Sequence, residues 1–285
     1  MPIIEEFEYY KPKSLDEALA LKSKYGSKAS VLAGGTDLIN ALKAEMVHPD
    51  VVIDIKALDD FCKIQEKAGS LILGANVTFT QIIESKMVAD NFPILVEASE
   101  TVASVGTRNR ATMMGNICSA VPSADSSTPL LVLDAKIWVM SVDGEREIAI
   151  ADWFTGPKTT ALKDNEIALF IKINKPKTGY LAKYSKLGRY KGEDLAQANI
   201  SLCLLYDGTY RAACGAVGPI ACRVPQTEAV LSSKEPLERR IKKAVKTVES
   251  EISPIDDIRC SKEYRYHMIG VMLERGVKQL EGGQK

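Results

Sequence analysis

Two segments of this sequence have the residue types to hold an anionic ligand, and both carry glycine. The first is Val31-Leu32-Ala33-Gly34-Gly35-Thr36-Asp37-Leu38. Consecutive glycines after a short apolar strand let the backbone turn sharply and present several N–H groups with no Cβ in the way. Such a nest holds anionic oxygens, and a pyrophosphate suits it, with Thr36 adding a hydroxyl donor. The segment is neither a G-x-G-x-x-G fingerprint nor a Walker loop. A tight structural turn explains the same residues equally well, and at this level both readings stand.

The second segment is TRNRATMMGN, Thr107 to Asn116, continuing through ICSAVPSAD to Asp125. It reads as a long, polar, irregular loop, and loops of that length inside a domain are usually functional or disordered. Met113, Met114, Ile117 and Val121 are interleaved apolar residues that disfavour disorder, while Ser119, Ala120, Ser123 and Ala124 permit close backbone approach. Asp125 has the chemistry to accept a hydrogen bond from a ribose hydroxyl. It equally has the chemistry to cap a helix through the apolar run PLLVLDA.

Other chemistries are poorly supplied. The two histidines, His48 and His267, read as surface or packing residues, which removes most hydrolytic triads and histidine-rich metal sites. The six cysteines (Cys62, Cys118, Cys203, Cys214, Cys222 and Cys260) include no C-x-x-C pair. They fit neither a disulfide framework nor a zinc or iron–sulfur ligand set, and read as buried free thiols. Thirty-seven basic residues balance 37 acidic ones, so no basic excess exists for nucleic acid. Near-neutral charge is compatible with an oligomer. No segment approaches the roughly 18–20 apolar residues of a membrane span. The opening MPIIEEFEYYKPKS lacks a basic stretch followed by an apolar core, so a cytoplasmic location is the expectation.

The elements that must carry these loops are legible. At 285 residues, two ordinary domains are expected. Ser14 and Glu17 form a capping box before ALALKSKY, which stops at Gly26. A strand at Ala29 to Leu32, a helix in LINALKAEM and a strand at Val51 to Ile55 make a small α/β unit. Further expectations are a strand at Leu71 to Leu73, a second capping box at Thr78 and Gln81, and a helix with Pro93 at its first position. Two strands flank an Asp143-Gly144 turn, and Ile167 to Ile173 completes the region. NKPKTGY is the boundary, dividing residues 1–175 from 176–285, with the first part itself split near residue 58. Beyond it, Ala196, Ala198, Ile200, Leu202 and Leu204 alternate with polar residues, so a strand with one buried face is expected, turning at Asp207-Gly208. Leu237, Ile241, Ala244, Val245, Val248 and Ile252 share a helical face, and a last helix starts at Ser261.

Taken in order, FEYYKPKSLDEALAL, VLAGGTDL, RNRATMMGN, PSAD, KLGRYKGEDLA, GAVGP and DDIRCSKEYRYHM resemble the FAD-binding medium subunit of the molybdenum hydroxylases, the xanthine and carbon monoxide dehydrogenase group. The resemblance covers nearly the whole chain. It implies an α+β fold: a two-part FAD-binding domain of the vanillyl-alcohol-oxidase-like type, followed by a small antiparallel sheet packed with helices. It also implies that Val31 through Leu38 (Val31, Leu32, Ala33, Gly34, Gly35, Thr36, Asp37 and Leu38) cradle the pyrophosphate of non-covalent FAD. Thr112, Gly115, Asn116, Asp125, Ile167 and Lys186 match further FAD contacts, with Val102 close by in alignment. The family's usual T-I-G-G-N reads Thr112-Met113-Met114-Gly115-Asn116 here, with Met114 in place of the first glycine. A left-handed backbone at that position would cost methionine about 1 kcal/mol or more; if only room is needed, the side chain must turn away.

The implied role is electron relay. A large partner subunit holds the molybdenum cofactor (molybdopterin), a small one carries iron–sulfur clusters, and this chain passes their electrons through FAD to NAD or another acceptor. A dimer of heterotrimers is the implied assembly, with no catalytic acid or base on this chain. Two other readings are an FAD-deficient structural subunit of the same complex and a free-standing flavin oxidoreductase.

Overall fold

The computed structural model describes residues 2–177, 179–190 and 193–282. Thr178 of the boundary segment, and Lys191 and Gly192 of KLGRYKGEDLA, lie outside the described residues.

The chain begins with a three-stranded parallel sheet. Strands β1 (Glu8–Tyr10), β2 (Ala29–Leu32) and β3 (Val51–Asp54) lie in the order β1-β3-β2, linked by helices α1 (Leu15–Tyr25) and α2 (Leu38–Lys43). Every residue of β3 is buried, as expected of the middle strand in a parallel sheet. Gly26, at φ 54°, ends α1 where the sequence places the stop. The Ser14 cap is only half of a box: its hydroxyl accepts from the Glu17 N–H, but the Glu17 carboxylate accepts from the Lys13 N–H.

A larger antiparallel sheet follows. It is built from β4 (Ile64–Lys67), β5 (Ser70–Gly74), β6 (Lys136–Ser141), β7 (Gly144–Ala149) and, after the short hairpin β8 (Phe154–Gly156) and β9 (Thr159–Thr160), β10 (Ile167–Asn174). Its order is β4-β5-β10-β6-β7. Between β5 and β6 the chain forms α3 (Phe79–Glu84), α4 (Lys86–Asn91), α5 (Pro93–Glu100), α6 (Val105–Arg108), α7 (Met113–Ser119) and α8 (Ser127–Val132). The Thr78–Gln81 capping box is complete, and Pro93 opens α5. The expected irregular stretch from Thr107 to Asp125 is instead partly helical. Ser104 and Thr112 cap α6 and α7 through their side chains, and each helix is too short for its periodicity to show in sequence.

The last part is a four-stranded antiparallel sheet of β11 (Tyr180–Leu187), β12 (Ala198–Leu205), β13 (Tyr210–Gly215) and β14 (Cys222–Arg223), in that order, backed by α9 (Pro225–Leu231), α10 (Leu237–Val248) and α11 (Lys262–Gly282). The sequence suggests one buried face for β12, yet all eight of its residues are buried. Ile200, Leu202 and Leu204 face the helices, whereas Cys203 and Leu205 join the core of the preceding part. The polar face meets α8: Thr128 Oγ1 donates to Asn199 Oδ1 at 3.1 Å, and Ser201 donates to Thr128 at 3.0 Å. The polar alternation therefore marks a hydrogen-bonded junction rather than a wet surface. Asp257 and Arg265 fasten the closing segment, with Arg265 donating to the Gln197 and Ala216 carbonyls and pairing with Asp257 at 2.7 Å.

Candidate functional site

The glycine turn lies between β2 and α2, and its two glycines answer different demands. Gly35 has φ 81°, a conformation that favours glycine. Gly34 is pressed against the second loop: an added Cβ would lie 2.1 Å from the Arg110 carbonyl oxygen. The loops are joined again where the Ser119 hydroxyl donates to Asp37. The backbone N–H groups from Ala33 through Asp37 donate to no acceptor among the described residues. In contrast, the carbonyls of Gly35, Thr36 and Asp37 accept from Ile39, Asn40 and Ala41. A run of free donors on a fixed turn is the chemistry of an anion cradle.

The second loop is positioned from its own sequence. The Thr112 hydroxyl accepts from the Gly115 N–H at 2.9 Å, and a Cβ on Gly115 would lie 2.9 Å from that same oxygen. Asn116 Oδ1 accepts from the Ser126 N–H at 3.2 Å, fixing the start of the Asp125 turn. Met114 lies within α7 and outside the positive-φ positions, and its side chain is 3% exposed in the core. Methionine costs no left-handed strain here, because the side chain turns inward and does not line the cavity described next.

Beside Gly34 is a cavity of about 420 Å³, in the lower range for ligand sites. Ala33, Gly34, Asn76, Thr112, Lys56 and Arg110 contribute to its wall. Lys56 is held at 2.7 Å by Asp54, which also accepts from the Tyr9 hydroxyl. Burial pushes the Asp54 carboxyl up, but Lys56 and Tyr9 more than offset this and hold it below its ordinary value.

At the junction of the two parts, Asp125 and Lys186 form a buried pair at 2.8 Å, the side chains 9% and 8% exposed. Lys186 also donates to the Thr101 carbonyl, and Tyr184 donates to the other oxygen of Asp125. Burial raises Asp125, with Lys186 and Tyr184 pulling the other way. Burial and the adjacent carboxylate keep the Tyr184 phenol protonated, with its value well above the ordinary one. Asp125 is not a helix cap: Ser126 stands at that position of α8, without a side-chain bond.

Of the residues singled out from sequence, Gly34, Thr112 and Asn116 are gathered around the turn and the helix it meets, and Asp125 and Lys186 are in contact. Val102 is buried beside Thr101, its carbonyl accepting from Arg108. Ile167 is buried in β10 opposite Met140 and shares no hydrogen bond with the loops. Asn76, Lys56 and Tyr184 escape a sequence reading, and Arg110 stands out only as part of the second loop. Only the charged D-I-K following an apolar strand gives a signal, for Lys56. His267 is exposed on α11, and His48 pairs with Glu5. No group of three or more His, Cys, Asp or Glu among the described residues is placed to hold a metal ion. No helix among the described residues is long and apolar enough to cross a membrane.

Residues 5–176 match the family described as the FAD binding domain in molybdopterin dehydrogenase, and residues 183–280 the CO dehydrogenase flavoprotein C-terminal domain. The carbon monoxide dehydrogenase medium chain of Afipia carboxidovorans is 31% identical, covering 98% of each chain. The xanthine dehydrogenase FAD-binding subunit of Escherichia coli O157:H7 is 30% identical, over 95% of this chain and 94% of that one. Among solved structures, a chain of the Hydrogenophaga pseudoflava carbon monoxide dehydrogenase that lacks the Mo-pyranopterin moiety superposes with TM-score 0.92. It is 29% identical and covers 98% of each chain. A chain of quinoline 2-oxidoreductase from Pseudomonas putida 86 gives TM-score 0.92 at 26% identity, covering 99% of each.

Proposed function

The chain belongs to the FAD-binding flavoprotein subunits of the molybdopterin dehydrogenases, and from that membership we propose that it is the electron relay of a three-part hydroxylase. In this reading a large partner subunit carries the molybdenum cofactor, a small one carries iron–sulfur clusters, and this chain delivers their electrons to NAD or another acceptor. Relatives matched over 98% and 94% of their own length carry the names medium chain and FAD-binding subunit, which favours a complex over a free-standing flavoenzyme. A dimer of heterotrimers in the cytoplasm is the proposed setting, with residues 1–175 and 176–285 as its two domains.

The observation that carries the reading is the run of N–H groups from Ala33 through Asp37 that have no acceptor among the described residues, on a turn fixed against the second loop. These donors, with the Thr36 hydroxyl, suit the pyrophosphate of FAD, and Val31, Leu32 and Leu38 anchor the two ends of the turn. Thr112, Gly115 and Asn116 act by holding α7 and the Asp125 turn in place. Lys186 spends two of its ammonium protons on Asp125 and Thr101, leaving one donor for the cofactor. Val102 and Ile167, both buried, are assigned to the apolar surroundings of the cofactor on the family resemblance rather than on a contact with either loop. Bound FAD supplies redox chemistry that no side chain here offers, and the chain supplies binding, orientation and shelter from water.

Co-expression of the tagged chain with a molybdenum-cofactor subunit and an iron–sulfur subunit tests the relay. Co-purification of all three, with substrate-dependent bleaching of the flavin absorbance, is the expected result. A flavin that stays oxidised when the iron–sulfur clusters of such a complex are reduced would refute it.

A further inference from the structure

Cys214 and Cys222 have no motif spacing in the sequence, yet the last sheet sets them face to face. Strand β14 runs antiparallel to β13 with Cys222 directly opposite Cys214. Directly opposed residues of such strands have Cα atoms about 4.5–5.5 Å apart and side chains on one face. Disulfides span Cα separations of roughly 4.4–6.8 Å, so the two strands already hold the spacing that a bridge requires. The shared face is the one packed on the helices, where Cys214 joins Val217 and Val224 in the core. Cys214 is fully buried and Cys222 half-buried, so an oxidant in solution meets Cys222 first. Burial, the facing Cys222 and the Glu251 carboxylate raise the Cys214 thiol well above its ordinary value, and burial and Glu251 raise Cys222 too. Both therefore rest as protonated thiols at neutral pH, and their oxidation is slow.

The loop between the two cysteines, residues 215–221, is a brace. The Ala216 N–H donates to the Pro122 carbonyl at 2.8 Å, on the segment that leads to Asp125. The Ala216 carbonyl accepts from Arg265 at 2.9 Å, and the Ser253 N–H donates to the Val217 carbonyl at 2.8 Å. Ala216 is at φ 60°, a left-handed conformation that strains alanine. A strained residue tied to three other segments depends on the base of its loop staying closed. That base is weak, because β14 is only two residues long and pairs with β13 through Cys222 and Arg223 alone. A covalent bond between the facing cysteines falls where the backbone pairing is shortest.

We propose that Cys214 and Cys222 are a redox site, which hydrogen peroxide converts to an intrachain disulfide that clasps the base of the bracing loop. Cys222 gives its proton to water, and its thiolate attacks one peroxide oxygen. The O–O bond breaks, hydroxide leaves, and Cys222 becomes a sulfenic acid. The Cys214 sulfur then attacks the Cys222 sulfur, and the sulfenic oxygen leaves as water with the Cys214 proton. In sum, two thiols and one peroxide give a disulfide and two waters, the sulfurs losing the two electrons that the peroxide gains. Thiol reductants reverse the bond, so in a reducing compartment it is a transient mark.

The test needs no flavin and so stands apart from the flavoprotein reading. The reduced chain, freed of reductant, is incubated with hydrogen peroxide at about pH 8, where thiolate is more abundant. Trypsin cuts after Arg211 and Arg223, so both cysteines lie on one peptide, Ala212 to Arg223. That peptide should become two hydrogens lighter, resist iodoacetamide after unfolding, and return to its starting mass with dithiothreitol. The melting temperature of the oxidised chain should rise by roughly 3–8 °C. Cys214→Ala should leave Cys222 as a sulfenic acid trapped by dimedone, with no such rise. Two thiols that still alkylate after peroxide would overturn the proposal. So would a Cys222 sulfinic acid beside a free Cys214, or a bond from either cysteine to a third. A disulfide that forms without raising the melting temperature would overturn the clasp.

Discussion

Replacing Lys186 by methionine probes the junction on which the site depends. The pair it breaks is buried on both sides, at 8% and 9% exposure, so it falls in the class where removing one partner costs about 3–5 kcal/mol. An exposed pair would cost about 0–1 kcal/mol. The Thr101 carbonyl loses its donor as well. The pH dependence has a definite sign. Burial already raises the Asp125 carboxyl, and Lys186 is the main group opposing that rise. Without the ammonium, the folded-state value climbs further above the unfolded one, near ~3.9. The folded variant then binds its proton more tightly than the unfolded chain does. Its stability therefore falls as pH rises through that window and recovers as pH drops towards about 4. Denaturant titrations of the wild type, Lys186→Met, Asp125→Asn and the double variant, at about pH 5 and pH 7.5, measure this. Lys186→Met should lose roughly 3 kcal/mol at the higher pH and visibly less at the lower. The double variant should regain much of the loss. A deficit under about 1 kcal/mol with no pH dependence would refute the buried-pair reasoning.

Three further outcomes are expected. Gly34→Ala forces a Cβ to within 2.1 Å of the Arg110 carbonyl, so the two loops must part, with a loss of about 1–3 kcal/mol by thermal melting and weaker FAD binding. Met114→Gly restores the family's usual glycine but empties a packed core position in a helix. It should cost about 2–5 kcal/mol in denaturant titration and fail to tighten FAD binding. Asp257, desolvated yet held by the Arg259 and Cys260 N–H groups and by Arg265, has its carboxyl lowered to about 2. Its contribution is therefore present above about pH 4 and lost as pH falls towards 2, and Asp257→Asn should flatten the acid limb of a stability–pH curve.

The elements were legible wherever one local signal governed them. Gly26 stops α1, the Thr78–Gln81 box starts α3, and the Asp207-Gly208 turn joins β12 to β13. Legibility failed where a distant partner decides. Asn199, Ser201 and Cys203 look like a solvent face and are instead packed on the preceding part, because Thr128 lies across from them. The helices α6 and α7 are four and seven residues long, stabilised by single caps and by packing rather than by a repeating pattern. At the site, the glycine pair stood out in sequence, but the reason for Gly34 is a carbonyl 76 positions further along the chain. Asn76 gave no signal, since its side-chain contact is with the Ile55 carbonyl, 21 positions back along the chain. Met114 looked like a defect against the family pattern and is an ordinary core side chain.

The most direct measurement is an equilibrium titration of the purified, flavin-free chain with FAD, read by fluorescence and by absorbance after gel filtration. The flavoprotein account expects one FAD per chain, retained through the column and released intact by acid or heat, with affinity reduced in Gly34→Ala. A chain that stays folded yet retains no FAD at any concentration tested would contradict it.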